Sequence, residues 1–225
     1  GQLVAIMGSS GAGKSTLLNC LSGRVSVGHL TGNIHLNGRQ RNPRTWKKTV
    51  SFVEQDDIMY ASLTVRETLR FAAQLRLPSS RYTDEQKFAK AEEILRSLRL
   101  TKAADTFIGD GMTRGISGGE RKRTAIGQEL VGDPEILFLD EPTSGLDSNS
   151  AFMVIENVKS EAVRTNRIVI LTIHQPSHEI LALFSSVILL SAGSVVFYGP
   201  PDDALAHFSG LGIPCPPRKN PGGKR

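Results

Sequence analysis

A glycine-rich stretch near the start of the chain, GSSGAGKST from Gly8 to Thr16, has the composition of a phosphate-binding loop. It matches the pattern G-x-x-x-x-G-K-S, with a predicted strand over residues 3–7 before it and a predicted helix over residues 15–21 after it. The glycines allow successive backbone N–H groups to turn toward phosphate oxygens, and the helix N-terminus adds partial positive charge. The stretch therefore predicts a nucleotide site. Its predicted nucleotide-binding residues are Gly8, Ser9, Ser10, Gly11, Ala12, Gly13, Lys14, Ser15 and Thr16.

Polar residues suited to phosphate hydrolysis stand in this loop and far beyond it. Lys14 is predicted to contact the β- and γ-phosphates, and Ser15 to place its hydroxyl on Mg²⁺. Asp140 and Glu141 end the apolar run ILFL, which is predicted to be a strand buried on both faces. There Asp140 would hold Mg²⁺ through water, and Glu141 would activate or orient the attacking water. The same acidic pair could instead cap a helix that begins near Pro142.

Two further polar residues follow predicted strands. Gln55 comes after the strand predicted over residues 49–53, and its uncharged amide could contact both Mg²⁺ and the attacking water. His174 ends the strand RIVILTI, where its imidazole could donate a hydrogen bond to the γ-phosphate. Taken singly, a glutamine at a strand end most often has no role, and a lone histidine is usually structural. Their position at the carboxyl ends of strands groups them with Asp140 and Glu141 as candidate catalytic residues.

A second glycine-rich helix start, ISGGERKR, lies near the middle of the chain. Its serine hydroxyl and first-turn amides could also bind a phosphate group. A helix on an insert that projects from the core cannot readily fold back over its own loop, whereas two chains arranged head to tail would each close over the partner's nucleotide. SGLD follows Glu141 closely enough to line the same interface. The residues predicted to act at this interface are Ser117, Gly118, Gly119, Glu120, Ser144, Gly145, Leu146 and Asp147.

The elements that position these residues alternate between strands and helices, which predicts an α/β fold with a mainly parallel sheet. Capping boxes at Thr64–Glu67 and Thr83–Gln86 open two helices. LTGNIHLNGRQ predicts a small antiparallel element, a helix is predicted over residues 177–184, and a hairpin is predicted around residues 192–193. The domain prediction is a single domain over residues 1–225, made of core segments 1–57 and 134–208, a helical insert 58–133 and an irregular basic tail 209–225.

Composition disfavours several classes of protein. The chain has 225 residues, a formal net charge of +5 and a pI near 9.4, with its cations spread along the sequence. Dispersed positive charge argues against a dedicated nucleic-acid surface. No apolar run approaches the roughly 18 residues that a membrane span needs. The two cysteines, Cys20 and Cys215, lie far apart in sequence and are expected to be free thiols, with a disulfide as the less favoured alternative.

Taken together, these motifs closely resemble those of the nucleotide-binding domain of an ATP-binding cassette (ABC) protein. GSSGAGKST resembles its Walker A loop, Gln55 its Q-loop residue and ISGGE its signature motif. ILFLDE is similar to Walker B, SGLD to the D-loop and His174 to the switch histidine. The longer stretches VEQDDIMYASLTVRETLRFAAQLRLP, RGISGGERKR, DEPTSGLDS and TIHQPS are similar to the G subfamily, the White-type half-transporters.

This resemblance implies a P-loop NTPase (RecA-like) fold, with a parallel sheet core, a small antiparallel β-subdomain and an inserted helical subdomain. It implies an ATPase that binds ATP and Mg²⁺ and dimerises head to tail with a second nucleotide-binding domain, identical or different. The implied function is ATP-driven transmembrane transport of lipids, sterols, pigment precursors or xenobiotics. A membrane domain is expected C-terminal to this segment in the same polypeptide, with the nucleotide domain on the cytoplasmic face and no nucleic acid as a partner.

Two departures from the family pattern and two alternative functions also follow from the residues. The first departure is that strands before the Walker A loop, including one with an adenine-stacking aromatic residue, are expected to be missing from these 225 residues. The second is that CPPRKNP is followed by GGKR, where the family usually continues into Ala-Asp-Phe. The transmembrane domain is also expected to lie outside these residues. One alternative is a soluble ABC ATPase acting on nucleic acid or ribosomes, which the basic balance supports. Another is a cassette that binds nucleotide without hydrolysis. The presence of Lys14, Asp140, Glu141 and His174 argues against the second alternative.

Overall fold

The computed structural model describes residues 1–25, 28–110 and 112–212. Strands and helices alternate along most of this range, as the hydrophobic pattern predicts. In chain order the elements are β1 (Gln2–Gly8), α1 (Lys14–Ser22), β2 (His35–Leu36), β3 (Arg39–Gln40), α2 (Pro43–Thr49), β4 (Val50–Val53), α3 (Val65–Arg76), α4 (Asp84–Ser97), α5 (Gly118–Leu130), β5 (Ile136–Leu139), α6 (Ser148–Arg164), β6 (Ile168–Thr172), α7 (His178–Leu181), β7 (Ser186–Ser191), β8 (Ser194–Gly199) and α8 (Pro201–Gly210).

A six-stranded sheet forms the centre of the molecule, with strand order β4-β5-β6-β1-β7-β8. The first five strands in that order run parallel, and β8 pairs with β7 in the antiparallel direction. All four residues of β5 are buried, which confirms the prediction of a strand covered on both faces. Because parallel strands end at one edge of the sheet, the segments after β1, β4, β5 and β6 lie along the same edge.

The two faces of the sheet pack against different helices. One face is covered by α1 and α2, where Leu18 and Trp46 cluster with Ile6 and Phe138 of the sheet. The other face carries the larger core, which includes residues of α3, α4, α5 and α6. The three helices of the predicted insert therefore share one apolar core with the sheet instead of forming a separate unit.

Close packing within the helical insert depends on a glycine in α5. A Cβ atom on Gly127 would lie 2.9 Å from Leu69 Cδ2 of α3 and 3.2 Å from both Ile94 Cγ2 of α4 and Leu98 Cδ1 just beyond it. The absence of a side chain lets α5 approach both neighbouring helices. This contact fixes the orientation of the helix that begins at the ISGG motif.

Several local predictions are confirmed. Thr64 and Thr83 are N-caps of α3 and α4, and each forms a reciprocal capping box with the glutamate or glutamine three residues later. β2 and β3 form the small antiparallel pair, and β7 and β8 form the hairpin. Cys20 is a free thiol, whereas Cys215 lies outside the described residues.

Three local features differ from the sequence predictions. Helix α2 was not predicted, although Asn42 caps it and Pro43 occupies its first position, a combination typical of helix starts. Helix α7 covers only His178–Leu181 and is shorter than the helix predicted over residues 177–184. The tail predicted to be irregular from residue 209 is helical at its first two positions, since α8 continues to Gly210. Residues 213–225 of that tail lie outside the described residues.

Candidate functional site

The loop between β1 and α1 has the backbone that a phosphate cradle requires. Gly11 and Gly13 have φ angles of 77° and 97°, in the left-handed region that glycine tolerates best. Gly13 is the N-cap of α1, and no side chain caps this helix. A Cβ atom on Gly8 would lie 2.4 Å from the backbone oxygen of Leu190, so β7 excludes any larger residue there. The first-turn amides of α1 are therefore available to an anion.

Lys14 lies over this loop with its side chain largely enclosed. The residue is 6% exposed, and Nζ donates hydrogen bonds to the backbone oxygens of Gly8 and Ser9, both at 3.2 Å. An ammonium group has three donors, so these two bonds leave one for a phosphate oxygen. The bonds hold the positive charge at the mouth of the cradle.

A chain of hydrogen bonds joins the loop to the ends of β5 and β6. Ser15 Oγ donates to Asp140 Oδ1 at 3.1 Å, and Thr172 Oγ1 donates to the same oxygen at 2.5 Å. The Thr172 hydroxyl in turn accepts the backbone N–H of Glu141 at 2.8 Å. Asp140 is also tied to β4, since its N–H donates to the oxygen of Val53 at 3.0 Å. The predicted hydrolytic residues of the loop and of β5 are therefore brought together.

Thr172 is a site residue that the sequence reasoning missed. It is fully buried at the carboxyl end of β6, and its hydroxyl bonds both the carboxylate of Asp140 and the backbone N–H of Glu141. The available signal was its polarity: a threonine closes the otherwise apolar strand IVILT, two residues before His174. A buried hydroxyl at that position needs partners, and Asp140 and Glu141 supply them.

The donor set around Asp140 fits a magnesium ion. A serine hydroxyl and a carboxylate are oxygen ligands, and Mg²⁺ commonly takes one or two protein oxygens together with waters and substrate phosphates. Within the described part of the chain, no group of three or more His, Cys, Asp or Glu side chains is placed to hold a metal. Ser15 and Asp140 lie within hydrogen-bond distance of each other beside the cradle, so an ion between loop and strand would contact both.

The backbone is strained at two positions along this edge. Glu141 has a φ angle of 45° and Gln175 one of 43°, both in the left-handed region that residues other than glycine rarely adopt. Glu141 follows β5 directly, and Gln175 follows His174 just beyond β6. His174 and Gln55 are both exposed, with Gln55 two residues after the end of β4. Each of the four predicted strand-end residues thus lies at the carboxyl edge of the sheet.

The second glycine-rich motif forms a capped helix start on the helical insert. Ser117 is the N-cap of α5, and its Oγ accepts the N–H of Glu120 at 3.3 Å. Glu120 Oε2 accepts the Ser117 N–H at 2.9 Å and the Ser117 hydroxyl proton at 2.8 Å. The hydroxyl predicted to be an open phosphate donor is thus bonded to Glu120. The capping-box spacing S-x-x-E was visible in the sequence and could have revealed this.

The predicted D-loop lies beside the signature motif of the same chain. A Cβ atom on Gly118 would lie 3.3 Å from Leu146 Cδ2, so these two segments touch. Asp147 is the N-cap of α6 and accepts the N–H groups of Asn149 and Ser150 at 3.1 and 3.0 Å. Hydrogen bonds from the Ser150 hydroxyl and amide lower the pKa of the Asp147 carboxyl. ISGG and SGLD therefore belong to one continuous surface.

Comparison with known proteins identifies the family of this chain. The family model described as ABC transporter matches residues 1–144. The chain belongs to the ABC transporter family. A second model, described as ABC-2 type transporter, matches residues 174–224.

Curated relatives with high identity belong to the G family of ABC transporters. The chain is 45% identical over 221 residues to ABC transporter G family member 5 of Oryza sativa subsp. japonica, covering 98% of this chain and 28% of that protein. It is 46% identical over 220 residues to ABC transporter G family member 16 of Arabidopsis thaliana, covering 98% of this chain and 30% of that protein. The chain thus spans less than a third of the length of these relatives. The predicted resemblance to the G subfamily is confirmed.

A solved ABC structure shares the fold. The chain superposes on cbiO1 from Clostridium perfringens, part of the ABC transporter complex cbiONQ, with a TM-score of 0.74. The match covers 91% of this chain and 79% of that one at 21% identity, so it bears on the fold alone. It confirms the P-loop NTPase architecture with a parallel sheet core.

Membership in the ABC transporter family narrows the functional alternatives. The match to the ABC transporter model implies ATP binding and ATPase chemistry for this domain. An ATP-driven transporter motor is favoured over a soluble ATPase acting on nucleic acid or ribosomes, since both family models and the G-family relatives describe transporters. Among the described residues of this ABC chain, no helix is long and apolar enough to cross a membrane.

Proposed function

We propose that this ABC chain is a motor domain that hydrolyses ATP to drive transport across a membrane. The observation that carries the proposal is the hydrogen-bonded set that links Ser15, Asp140, Thr172 and Glu141 beside the phosphate cradle. A cradle alone would support binding, whereas this set, which brings two acidic residues beside the cradle, supports hydrolysis as well. Catalysis of phosphoryl transfer depends mainly on such positioning and on electrostatics.

The residues along the sheet edge have distinct proposed roles. Lys14 and the loop amides bind the phosphates of ATP, and Glu141 accepts the proton of the attacking water. Ser15 and Asp140 hold Mg²⁺, with Gln55 as a third contact, and the ion when bound neutralises charge on the phosphate oxygens. His174 donates a hydrogen bond to the γ-phosphate. Thr172 keeps Asp140 and Glu141 in fixed orientation.

The surface formed by ISGG and SGLD is proposed to contact the nucleotide of a second domain. The first-turn amides of Gly118 and Gly119 lie outside the hydrogen-bond ladder of α5, which makes this helix start a place for an anion. Ser117 would join them if its hydroxyl turned from Glu120 toward phosphate. Leu146 packs beside Gly118, which supports a role for the D-loop at the same interface. A head-to-tail pair of identical or different domains would contain two such shared sites.

The larger protein is proposed to include a membrane domain that follows this segment. The two G-family relatives compared above are more than three times as long as the chain, and a transporter family model matches residues 174–224. Transport of lipids, sterols, pigment precursors or xenobiotics is proposed from the resemblance to the G subfamily. The nucleotide domain would then work on the cytoplasmic face, with core segments 1–57 and 134–208, helical insert 58–133 and tail 209–225.

An apolar groove on the helical insert is a candidate binding site for a partner. The groove has a volume of about 450 Å³ and lies between the segment after Gln55 and helices α3 and α5. Ile58, Tyr60 and Leu75 on its walls are 85%, 71% and 71% exposed. Large exposed apolar side chains in one groove are typical of interaction sites. We propose that a segment of the membrane domain occupies this groove.

The proposal is tested with the 225-residue chain and its Glu141→Gln variant. The chain should release phosphate from ATP in the presence of Mg²⁺, and the variant should be slower by about 10²–10⁴-fold because an acid–base group is lost. Binding of ATP should persist in the variant, since the cradle is unchanged. An unchanged rate would remove Glu141 from the mechanism. A chain that binds ATP and shows no hydrolysis under any condition would instead support the non-hydrolysing cassette.

Dimer formation is measured on the same Glu141→Gln variant by size exclusion with light scattering. Mg-ATP should convert monomer to dimer. Adding Ser117→Arg should abolish the conversion, because the large, positively charged arginine side chain would block the start of α5. A dimer that forms equally well with Arg at this position would contradict the proposed role of the ISGG surface. Salt-sensitive retention of nucleic acid in a filter assay would favour the soluble alternative.

A further inference from the structure

Lys122, in the second turn of α5, connects the signature helix to the segment around Gln55. Its side chain is 3% exposed. Nζ donates a hydrogen bond to the backbone oxygen of Gln55 at 2.8 Å and forms an ion pair with Asp57 Oδ1 at 2.6 Å. The Asp57 side chain is itself only 12% exposed. A lysine is almost never buried this deeply without partners, and both of these partners of Lys122 come from residues 55–57.

The hydrogen bond from Lys122 holds the backbone of Gln55 and leaves its side chain exposed. Just before this segment, the oxygen of Val53 accepts the N–H of Asp140 at 3.0 Å, which ties the end of β4 to the end of β5. The strand bond and the lysine therefore hold this short segment at two successive points. Together they set where the Gln55 amide lies relative to Asp140.

The first turns of α5 are also tied to the loop that precedes the signature. Arg121 Nη2 donates to the backbone oxygens of Ile108 and Gly109 at 2.9 and 2.7 Å. Ser117, Arg121 and Lys122 are therefore parts of one helix whose position is linked both to that loop and to the Gln55 segment. Two of the three cations in ISGGERKR, Arg121 and Lys122, therefore bond backbone oxygens of this chain.

We propose that Lys122 is a positioning residue that couples the two nucleotide sites contacted by one chain. This inference rests on the function proposed above. Through the oxygen of Gln55, Lys122 sets the place of the Gln55 amide at the chain's own nucleotide. Through α5, it links that place to Ser117, which faces the nucleotide of the second domain.

Loss of this link separates turnover from binding. Without Lys122, the cradle around Lys14 is intact and ATP still binds. The Gln55 amide is no longer held in position relative to the reacting phosphate. A displacement of about 1 Å can lower a rate by about 10²-fold. The expected signature is a lower kcat with an unchanged KM for ATP.

The test compares Lys122→Met with the matched control Lys87→Met. Lys87 is also 3% exposed and lies in the same helical insert, but its Nζ donates to Ser79 Oγ at 2.8 Å. Both variants remove a buried ammonium and retain an unbranched apolar side chain. The double variant Lys122→Met/Asp57→Asn avoids leaving a buried carboxylate unpaired, so that a folding defect does not obscure the result.

Lys122→Met and its double variant should lower kcat by about 10- to 100-fold with KM unchanged, whereas Lys87→Met should keep the kcat of the unmodified chain. In a Gln55→Ala background, Lys122→Met should cause no further decrease, because it acts through Gln55. The inference is overturned if the double variant retains full kcat, if Lys87→Met is equally slow, or if the Lys122 and Gln55 effects multiply.

Amide hydrogen exchange supplies a readout that is independent of turnover. Residues 54–58 should exchange faster in Lys122→Met than in Lys87→Met, because the backbone at Gln55 is released. Equal exchange in the two variants would contradict the proposed contact. If the unmodified chain neither binds nor hydrolyses ATP, the proposed function fails, and the exchange measurement still decides whether Lys122 holds the Gln55 segment.

Discussion

Replacing Thr172 by valine removes one hydroxyl that holds two acidic residues at the candidate site. The side chain keeps its shape, but Asp140 Oδ1 loses a donor at 2.5 Å and the N–H of Glu141 loses an acceptor at 2.8 Å. A hydrogen bond to a charged group contributes about 1.5–3 kcal/mol, and a buried amide left without a partner costs about 1–3 kcal/mol. Because Glu141 and Asp140 are only half-buried, water recovers part of this loss. We therefore expect the free energy of unfolding to fall by about 2–3 kcal/mol, near the lower end of that sum.

The catalytic effect of Thr172→Val should exceed its effect on nucleotide binding. Both acidic residues lose their shared orientation, so kcat should fall by about 10- to 100-fold. The KM for ATP should stay unchanged, because Thr172 bonds neither Lys14 nor the glycine loop directly and is linked to Ser15 only through Asp140. Phosphate release gives kcat and KM, and urea unfolding gives the stability change.

Thr68→Val is the matched control for this experiment. Thr68 is 3% exposed in α3, and its hydroxyl donates to the oxygen of Thr64 at 2.8 Å. It should lower stability by about 0.5–1.5 kcal/mol and leave kcat intact. If Thr172→Val lost stability without losing kcat, the residue would be structural. If it lost neither, the proposed orientation of Asp140 and Glu141 would be wrong.

Three further predictions concern the helical insert. Gly127→Ala places a methyl group 2.9 Å from Leu69 Cδ2 and should lower the free energy of unfolding by about 1–3 kcal/mol. The measurement is the midpoint of urea unfolding, which should fall. An unchanged midpoint would mean that the helices move apart freely. Glu120→Ala removes the capping box of α5 and should lower the free energy of unfolding by about 1 kcal/mol, again measured by urea unfolding. ATP-dependent dimerisation should persist, because the Ser117 hydroxyl is released. Loss of the dimer would assign Glu120 a direct role in binding. The N–H groups of Thr113 and Met112 lower the pKa of Asp110, so its stabilising effect is present above the unfolded pKa of about 3.9 and is lost as the pH falls through the lower folded value. Asp110→Asn should therefore flatten the dependence of the thermal midpoint on pH below about 5, and an unchanged slope would refute the assignment.

Short-range features of the chain were predictable because their physical causes are local. The glycines of the cradle are needed for φ angles of 77° and 97° at Gly11 and Gly13, and a capping box such as Thr64–Glu67 closes within three residues. A continuous apolar run such as β5 can be buried on both faces in any α/β sheet. Helix α2 escaped prediction because its seven residues have no clear apolar period, although its Asn42–Pro43 start was visible.

The order of motifs was sufficient to group Asp140, Glu141, Gln55 and His174 at one edge, since parallel strands end on the same side. Their actual connections depend on contacts between residues distant in sequence. Thr172 bonds an aspartate 32 positions away, and Lys122 bonds a carbonyl 67 positions away. Leu146, on the core, lies next to Gly118, on the insert. Spacing along the chain does not specify such pairs. The packing of the insert helices on the sheet determines where α5 lies. Strand register determines which hydroxyl faces which carboxylate.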